Sequence, residues 1–368
     1  MRLSNLTWPK AEEYFRAHDT VLIGIGSIEC HGRHMPLGTD TLIPDFLLDK
    51  IEQKSDVLIC PTIPYGATES LCDYPGTINL GTELLYQVLG RVCDSLFQHG
   101  ARRFVILNGH GGNIKSIDRV GYDIQRKGGI LAELNWWLMA WDMDPAWKGG
   151  HGGGEETAAI LGIAPSLVDQ SEVAGPMKLH DVSDTLKATG FTSIEYKGVT
   201  VNIPRLTPSV THNGWIGPDH PETATEEWGR KMLQTTADYI VDFMEEFKKF
   251  YPNTREGKGE GHTIEVCWAG HDDFITVPDP KVQLAVGTLQ AFIDEYLKKF
   301  GGEVDYIHGD EVTRELGSKE GNMGFLLPAM GKEQLFKTVM ADGVLPRKTF
   351  SMGHAQDKRY YIEARKIR

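Results

Sequence analysis

Residues 20–40 read TVLIGIGSIECHGRHMPLGTD, and this stretch predicts the architecture of the chain. Its first half is a short apolar run rich in β-branched residues, which is typical of a buried strand, and we expect that strand over residues 19–28. Residues 41–54 follow with Leu42, Phe46 and Ile51 at helical spacing. The stretch therefore predicts a β-strand followed directly by an α-helix.

The same alternation continues toward the carboxyl terminus. Further strands are predicted over residues 57–61, 103–108 and 130–135, and further helices over residues 84–99, 114–126 and 155–162. Strands separated by helices of this length imply right-handed crossovers. We therefore predict an α/β fold with a mostly parallel sheet flanked by helices on both faces.

A polar, glycine-rich segment at residues 251–261 (YPNTREGKGEG) has no apolar period and reads as a linker. We place a first domain at residues 1–252 and a second at residues 262–368. The second domain carries strand-like segments at 263–270 and 359–367 and helical segments at 282–300 and near 332–340. These predict a small α/β or α+β appendage.

Composition excludes several classes of protein. The chain has a formal net charge of -13 and no basic run that could neutralise a phosphate backbone, so we expect no nucleic-acid partner. No apolar stretch reaches the roughly 18 residues of a membrane span, and the amino terminus lacks a secretory pattern. Five cysteines without CxxC spacing argue against disulfides and a thiolate zinc site. We expect a cytoplasmic protein that binds no membrane.

A first cluster of ionisable side chains follows the opening strand: Glu29, His31, His34 and Asp40. If the strand continues through Glu29 and His31, their side chains project to the same face, because side chains two residues apart do so. A turn containing Gly and Pro then returns Asp40 beside them. Each residue alone is typical of a surface group, but together they favour a site.

Two further clusters follow. Residues 108–113 (NGHGGN) match neither GxGxxG nor GK[ST], so close backbone approach around a liganding His110 explains the glycines better than a phosphate loop does. Residues 151–157 (HGGGEET) open a helix, where acids are also favoured by the helix dipole alone. The three clusters together predict an active site at three successive strand-to-helix junctions, because ligands bind beyond the carboxyl ends of parallel strands.

These motifs resemble the creatininase (creatinine amidohydrolase) family. The resemblance rests on residues 26–40, 74–77 (YPGT), 108–113, 151–157 and 213–218 (NGWIGP), and it covers about residues 1–250. It implies a creatininase-like fold for the first domain. It leaves the role of residues 262–368 unexplained.

The resemblance also implies two divalent metal ions. It places Glu29 and His110 on one ion, His31 and Glu156 on the other, and Asp40 between them. Zinc or manganese suits such a mixed ligand set, and iron is compatible with it. In the same family pattern His151 passes a proton to the leaving group, and His34 orients ligands without binding metal.

Departures from the family pattern bear on the substrate. Ser70 and Leu71 stand where many relatives have Glu-His, Gly111 and Gly112 stand where creatininase proper has Tyr-Glu, and Gly152 replaces the alanine of a His-Ala-Gly motif. We therefore do not expect creatinine itself to be the substrate. The resemblance still implies a metal-dependent hydrolase that opens a small cyclic substrate by attack on a carbonyl.

Several interpretations of the function remain open. We slightly favour a C–C hydrolase of a dehydrogenated inositol, of the 3-dehydro-scyllo-inosose type, in inositol catabolism; the alternatives are a cyclic amidohydrolase and a catalytically silent metal-binding protein. A second site in the last hundred residues is a further alternative, with His271, Asp272, Asp273, His308 and Asp310 as its candidates. The resemblance also implies a homo-oligomer, with a hexamer as one form.

Four tryptophans follow the strand predicted at residues 130–135: Trp136, Trp137, Trp141 and Trp147. Aromatic side chains in this position belong more often to the core than to a binding site. Trp136 and Trp137 are nevertheless candidates for contact with the substrate or support of the ligands.

Overall fold

The computed structural model describes residues 1–173, 175, 178–217, 219–249, 255–256, 258–278, 280–307, 309–328 and 334–343. The chain forms two compact units, Met1–Pro252 and Asn253–Arg368. Each unit has hydrophobic side chains buried around its own sheet.

The main sheet of the first unit has four parallel strands: β1 (Thr20–Ile25), β2 (Leu58–Ile63), β3 (Arg103–Asn108) and β4 (Ile130–Asn135). Their order in the sheet is β2-β1-β3-β4. The chain leaves β1 toward one edge to form β2 and then crosses to the other side of β1 to form β3. The strand order thus reverses between β1 and β3, where open α/β sheets usually bind their ligands.

Helices cover both faces of this sheet, as the sequence predicts. They are α1 (Trp8–Ala17), α2 (Thr39–Glu52), α3 (Gly81–Gln98), α4 (Ile114–Arg126), α5 (Trp136–Met143), α6 (Gly154–Ile163) and α7 (Glu226–Phe247). On β1, Leu22 is buried with residues of α2, α6 and α7. Val21 and Ile23 are buried with residues of α1, α3 and α4 on the opposite face. None of the helices in the described part of the chain combines the length and apolar composition that crossing a bilayer requires.

The expectation that the first strand runs to residue 28 is wrong, because β1 ends at Ile25. Beyond it, Gly26 lies against the start of α2, where an added Cβ atom would stand 2.5 Å from the carbonyl oxygen of Asp40. The backbone therefore leaves the sheet early to pack on the helix. The predicted bounds of β3, β4 and α4 agree with the structure.

A small antiparallel sheet in the first unit is absent from the sequence prediction. It consists of β5 (Lys187–Ala188), β6 (Ser193–Tyr196) and β7 (Val199–Asn202). Lys197 and Gly198 join β6 to β7, and both have positive φ angles, of 50° and 79°. Every residue of β7 is exposed, so the strand lacks the alternation of apolar and polar residues that would reveal it.

The described residues of the second unit form an antiparallel sheet and three helices, so the predicted appendage is of the α+β kind. Its elements are β8 (Arg255–Glu256), β9 (His262–Trp268), β10 (His271–Val277), α8 (Ala285–Phe300), α9 (Asp310–Gly317), β11 (Gly324–Leu326) and α10 (Gln334–Asp342). The strand order is β11-β9-β10-β8. Ile264, Ala285 and Leu289 form its buried core. The strand predicted at residues 359–367 lies outside the described residues.

Candidate metal centre

Three segments bring the five predicted ligands together: the loop after β1 with the start of α2, the loop after β3, and the start of α6. Glu29 and His31 lie in the loop after β1, not on the strand, so the predicted two-residue strand spacing does not explain their proximity. The third cluster, at residues 151–157, opens α6 but follows α5 and a short 3-10 helix, so the prediction that it lies at a strand-to-helix junction is also wrong. The paths of the loops, and not the spacing along a strand, bring the ligand side chains together.

Asp40, in the first turn of α2, lies at the middle of the cluster and is buried. Its Oδ1 is 2.9 Å from Nε2 of His31, and its Oδ2 is 3.0 Å from Nδ1 of His110. Ser27 donates a hydrogen bond from Oγ to Oδ2 over 2.8 Å. The two oxygens of one carboxylate thus face two different imidazoles.

Backbone carbonyls determine which nitrogen of each imidazole carries the proton. Nδ1 of His31 is 3.1 Å from the carbonyl oxygen of Glu29, and Nε2 of His110 is 2.9 Å from that of Ala67. A carbonyl only accepts, so these nitrogens carry hydrogen. If both rings are neutral, Nε2 of His31 and Nδ1 of His110 carry no hydrogen, and their lone pairs face carboxylate oxygens that repel them. That arrangement requires a cation, either a further proton on each ring or a metal ion.

Two glutamates complete the cluster. Oε1 of Glu29 is 3.1 Å from Nδ1 of His110, and neither carboxylate oxygen of this fully buried residue has a hydrogen bond. Oε2 of Glu156 is 3.6 Å from Nε2 of His31 and accepts a 2.6 Å hydrogen bond from the backbone N–H of Gly152. Burial raises the pKa of Glu29, and it raises that of Glu156 to about 7. The buried carboxylate of Glu29, which has no hydrogen bond, fits metal coordination, because a cation offsets its desolvation.

The five side chains form two groups with metal-ligand geometry. One is Glu29, Asp40 and His110, and the other is His31, Asp40 and Glu156; within each group the ligand atoms lie within 4.8 Å of one another. Asp40 belongs to both. Imidazole and carboxylate ligands of this kind suit divalent transition metals.

Comparison with known proteins identifies the family. The family model for creatininase (creatinine amidohydrolase) matches residues 4–244. The chain belongs to the creatininase family. Its members are metal-dependent hydrolases, and the chain is therefore an enzyme of this class.

Curated relatives from the family differ in what they are named for. Creatinine amidohydrolase of Pseudomonas putida is 31% identical over 195 residues, which cover 46% of this chain and 75% of that protein. The mycofactocin precursor peptide peptidase of Mycobacterium tuberculosis is 30% identical over 242 residues, covering 60% and 83%. The 3-dehydro-scyllo-inosose hydrolase of Thermotoga maritima is 28% identical over 107 residues, covering 29% and 34%.

Solved creatininase structures share the fold. One creatinine amidohydrolase structure aligns with a TM-score of 0.54 and 23% identity, covering 68% of this chain and 98% of the other. A manganese form aligns with a TM-score of 0.52 and 24% identity, covering 68% and 99%. A zinc–zinc form also aligns with a TM-score of 0.52 and 24% identity, covering 68% and 98%.

His151 of this creatininase-family chain lies beside the five clustered residues. Its Nε2 is 2.7 Å from the carbonyl oxygen of Cys30, so this nitrogen carries hydrogen, and its Nδ1 is 3.7 Å from Oε1 of Glu29. Burial, assisted by His31, lowers the pKa of His151 to about 3. The ring also forms a third possible ligand group with Glu29 and His31. A neutral imidazole with an unprotonated nitrogen toward the cluster can either bind metal or accept a proton.

Supporting residues extend beyond those that the sequence predicts. Nε2 of His34 is 2.9 Å from Oγ1 of Thr157, which donates a 2.6 Å hydrogen bond to the carbonyl of Gly153. His34 therefore contacts the first turn of α6, which carries Glu156. Ser27 and Thr157 lie inside the motifs quoted above, so their supporting roles could have been predicted from those motifs. The carbonyl of Ala67 has no such signal.

A cavity of about 760 Å³ adjoins the cluster and is lined by Glu29, His110, His151 and Glu156. Trp137 and Trp141 also line it. Trp136 and Trp147 belong instead to the buried core and are not among the lining residues, so the structure does not support Trp136 as a substrate contact. Trp141 donates from Nε1 to Oε1 of the buried Glu155 over 2.7 Å.

The second unit gives no support for a second metal site within its described residues. None of the candidate metal-ligand groups found there or elsewhere in the described chain includes His271, Asp272, Asp273 or Asp310. Asp272 pairs with Nη1 of Arg314 at 2.7 Å, which is an ordinary role for an acid on a sheet surface. His308 lies outside the described residues.

Proposed function

We propose that the chain hydrolyses an amide C–N bond at a pair of divalent ions. The observation that supports this proposal is that Asp40 belongs to both candidate ligand groups, with one carboxylate oxygen facing His31 and the other facing His110. A bridging carboxylate between two imidazole and carboxylate pairs is the ligand arrangement that a two-ion hydrolytic centre needs. Two separate one-ion sites would not share a ligand in this way.

In this proposal Glu29, Asp40 and His110 would hold one ion, and His31, Asp40 and Glu156 would hold the other. The zinc and manganese forms of creatininase support these two metals as the candidates. When bound, such ions supply an activated water and polarise the substrate carbonyl. Ser27, together with the backbone carbonyls of Glu29 and Ala67, holds the ligands in orientation.

His151 is the residue that we assign to proton transfer. Its Nε2–H is held by the carbonyl of Cys30, which leaves Nδ1 free on the side of the cluster and the cavity. Because Nδ1 carries no hydrogen, its lone pair is available to accept the proton that the attacking water gives up. The same nitrogen then delivers that proton to the departing amide nitrogen.

Relatives named for amide-bond substrates support C–N cleavage. The creatinine amidohydrolase and peptide peptidase matches cover 75% and 83% of those proteins. The inosose hydrolase match covers 34% of its protein, so it gives less support to the C–C cleavage that we slightly favour from sequence. C–C cleavage of a cyclic diketone stays the second candidate, because the attack on a carbonyl is the same.

The test is a hydrolysis screen on the full-length protein, stripped with a chelator and reloaded with zinc or manganese. Cyclic amides and short peptides form one panel, and cyclic 1,3-diketones form the other. We expect reloaded protein to cleave members of the amide panel and stripped protein to be inactive. Cleavage confined to diketones would overturn the proposal in favour of the second candidate.

His151→Ala separates an enzyme from a metal-binding protein without turnover. We expect this variant to keep its metal content, measured by inductively coupled plasma mass spectrometry, and to lose roughly 100-fold or more in rate. His99→Ala is the matched control, because His99 follows α3 outside the cluster. An unchanged rate in His151→Ala would contradict the assigned proton transfer.

A further inference from the structure

The cavity beside the metal cluster contains two basic side chains, Lys115 in α4 and Arg205 just after β7. The chain as a whole carries a net charge of -13, so basic side chains without acidic partners are notable in such a cavity. Within the described residues no hydrogen bond or salt bridge involves the ammonium group of Lys115. The cavity is also lined by Glu29, Glu69, Glu155 and Glu156, but among the described residues none of these acids forms an ion pair with Lys115 or Arg205, so both basic groups are available to an anionic ligand.

Arg205 has one hydrogen-bond partner and two vacant donors. Its Nη1 donates to the carbonyl oxygen of His180 over 2.8 Å, whereas its Nε and Nη2 are shielded from solvent and have no hydrogen bond. The hydrogen bond from Lys187 is the main cause that lowers the pKa of Asp181, and the nearby guanidinium of Arg205 lowers it further. Both Asp181 oxygens are already engaged, one by Lys187 at 2.8 Å and the other by the backbone N–H of Ala188 at 2.8 Å.

The two vacant nitrogens form one edge of the planar guanidinium. Their N–H bonds are nearly parallel and spaced to meet both oxygens of a carboxylate, which is the bidentate geometry that Arg provides and Lys does not. Buried donors without acceptors cost free energy, and in native proteins they usually indicate a missing partner. The shape of this vacant edge favours a carboxylate as that partner.

The position of Arg205 is tied to the metal cluster through the backbone. The N–H of Thr207 donates to the carbonyl of Ser70 over 2.7 Å. Ser70 belongs to the same loop as Ala67, whose carbonyl orients His110. The segment that carries Arg205 is therefore fixed against the loop that supports a metal ligand.

We propose that the substrate carries a carboxylate, which Arg205 binds through its Nε and Nη2 edge while Lys115 adds electrostatic attraction. This inference rests on the proposed function, because it takes this cavity to be the one that receives the substrate. Since Nε and Nη2 are shielded, binding requires the guanidinium to rotate toward the cavity, a side-chain movement on the nanosecond scale. Arg205 and Lys115 are thus specificity-determining residues and take no part in bond cleavage.

The test compares probes that differ only in charge. Calorimetric titration uses 5-oxoproline with 5-oxoprolinamide, and glycylglycine with glycylglycinamide, on the metal-loaded, full-length protein carrying His151→Ala, so that the probes bind without being cleaved. We expect the carboxylate member of at least one pair to bind about tenfold tighter than the amide. Arg205→Gln should remove most of this preference and leave amide binding unchanged, and Lys115→Gln should reduce it partly and lower its dependence on salt.

Arg16→Gln and Lys10→Gln, both on the exposed surface of α1, are the matched controls and should leave the preference intact. Equal binding or no binding of both members in every pair overturns the inference. A preference that persists in Arg205→Gln also overturns it, because the carboxylate would then be held by the metal ions. Binding is measured without turnover. Absence of hydrolysis in the separate screen would therefore contradict the proposed function, whereas the carboxylate preference would still be tested by the titration.

Discussion

At the scale of single residues, the cluster depends on the geometry of one carboxylate. Asp40 faces one imidazole with each oxygen and receives a further hydrogen bond from Ser27. No other carboxylate in the cluster touches both His31 and His110 within hydrogen-bonding distance. Asp40 is therefore the side chain whose loss should affect both proposed ions at once.

Asp40→Asn tests this shared role. The amide keeps the size of the side chain but replaces one anionic oxygen with a donor, so at least one of the two ligand groups loses its bridge. We expect the metal content to fall to one ion per chain or fewer and the hydrolytic rate to fall by about 100-fold or more. Metal analysis and a rate assay on the same preparation provide the measurement.

Asp45→Asn, on the same helix, is its control, because Asp45 accepts a hydrogen bond from Thr62 outside the cluster. It should retain the metal content and rate of the unaltered protein. Retention of two ions by Asp40→Asn would show that Asp40 does not bridge them.

At the scale of elements, the site depends on how closely the loop after β3 approaches α2. A Cβ atom added at Gly109 would lie 1.9 Å from the carbonyl oxygen of Asp40 and 2.8 Å from Cγ of Pro44. One at Gly112 would lie 2.0 Å from the carbonyl oxygen of Ala67. The sequence prediction of close backbone approach around His110 therefore agrees with the structure, and these glycines let the loop carry the imidazole to the cluster.

Gly109→Ala measures that approach. The methyl group meets backbone and a proline ring, neither of which moves easily, so we expect the free energy of unfolding to fall by about 2–4 kcal/mol. Urea denaturation of the metal-free protein, followed by circular dichroism, gives this quantity. An unfolding free energy within about 0.5 kcal/mol of the unaltered protein would contradict the packing described between this loop and α2.

Gly121→Ala is the matched control within α4, where the nearest atom to an added Cβ is 3.8 Å away. This substitution should raise the unfolding free energy by up to about 1 kcal/mol, because alanine has the higher helix propensity.

At the scale of the molecule, we propose that the first unit is an autonomous domain. The match to the creatininase family model ends at residue 244, and all candidate metal-ligand groups in the described residues belong to the first unit. Among the described residues, the buried clusters on both faces of its parallel sheet consist of first-unit side chains. The second unit should therefore be dispensable for the chemistry.

A fragment of residues 1–252 is expected to fold, to bind as much metal as the full chain and to retain its hydrolytic rate within a few-fold. Circular dichroism, metal analysis and the rate assay check these outcomes together. If the fragment folds and binds metal but loses activity, the second unit contributes to the substrate site. If it fails to fold, the two units are not independent domains.

The sequence predicts the sheet and the ligands better than it predicts how they meet. Buried strands and amphipathic helices carry their periodicity locally, so β3, β4 and α4 are located correctly. The loop containing Glu29 has no period to interpret, and its path depends on packing against α2. Arg205 follows β7, whose residues are all exposed, and it lines the cavity through contacts between segments distant in sequence. No local pattern encodes such contacts.

The position of β1 has a consequence for synthesis of the chain. β1 leaves the ribosome before the other three strands of its sheet, yet it lies inside that sheet, and its Leu22 pairs with Val105 of β3. Until β3 emerges, one edge of β1 keeps its backbone hydrogen-bonding groups vacant along an apolar sequence, and such an edge can pair with other chains. A nascent chain halted before residue 103 is therefore the species most prone to aggregate, and a chaperone that shields this edge should improve the yield of folded enzyme.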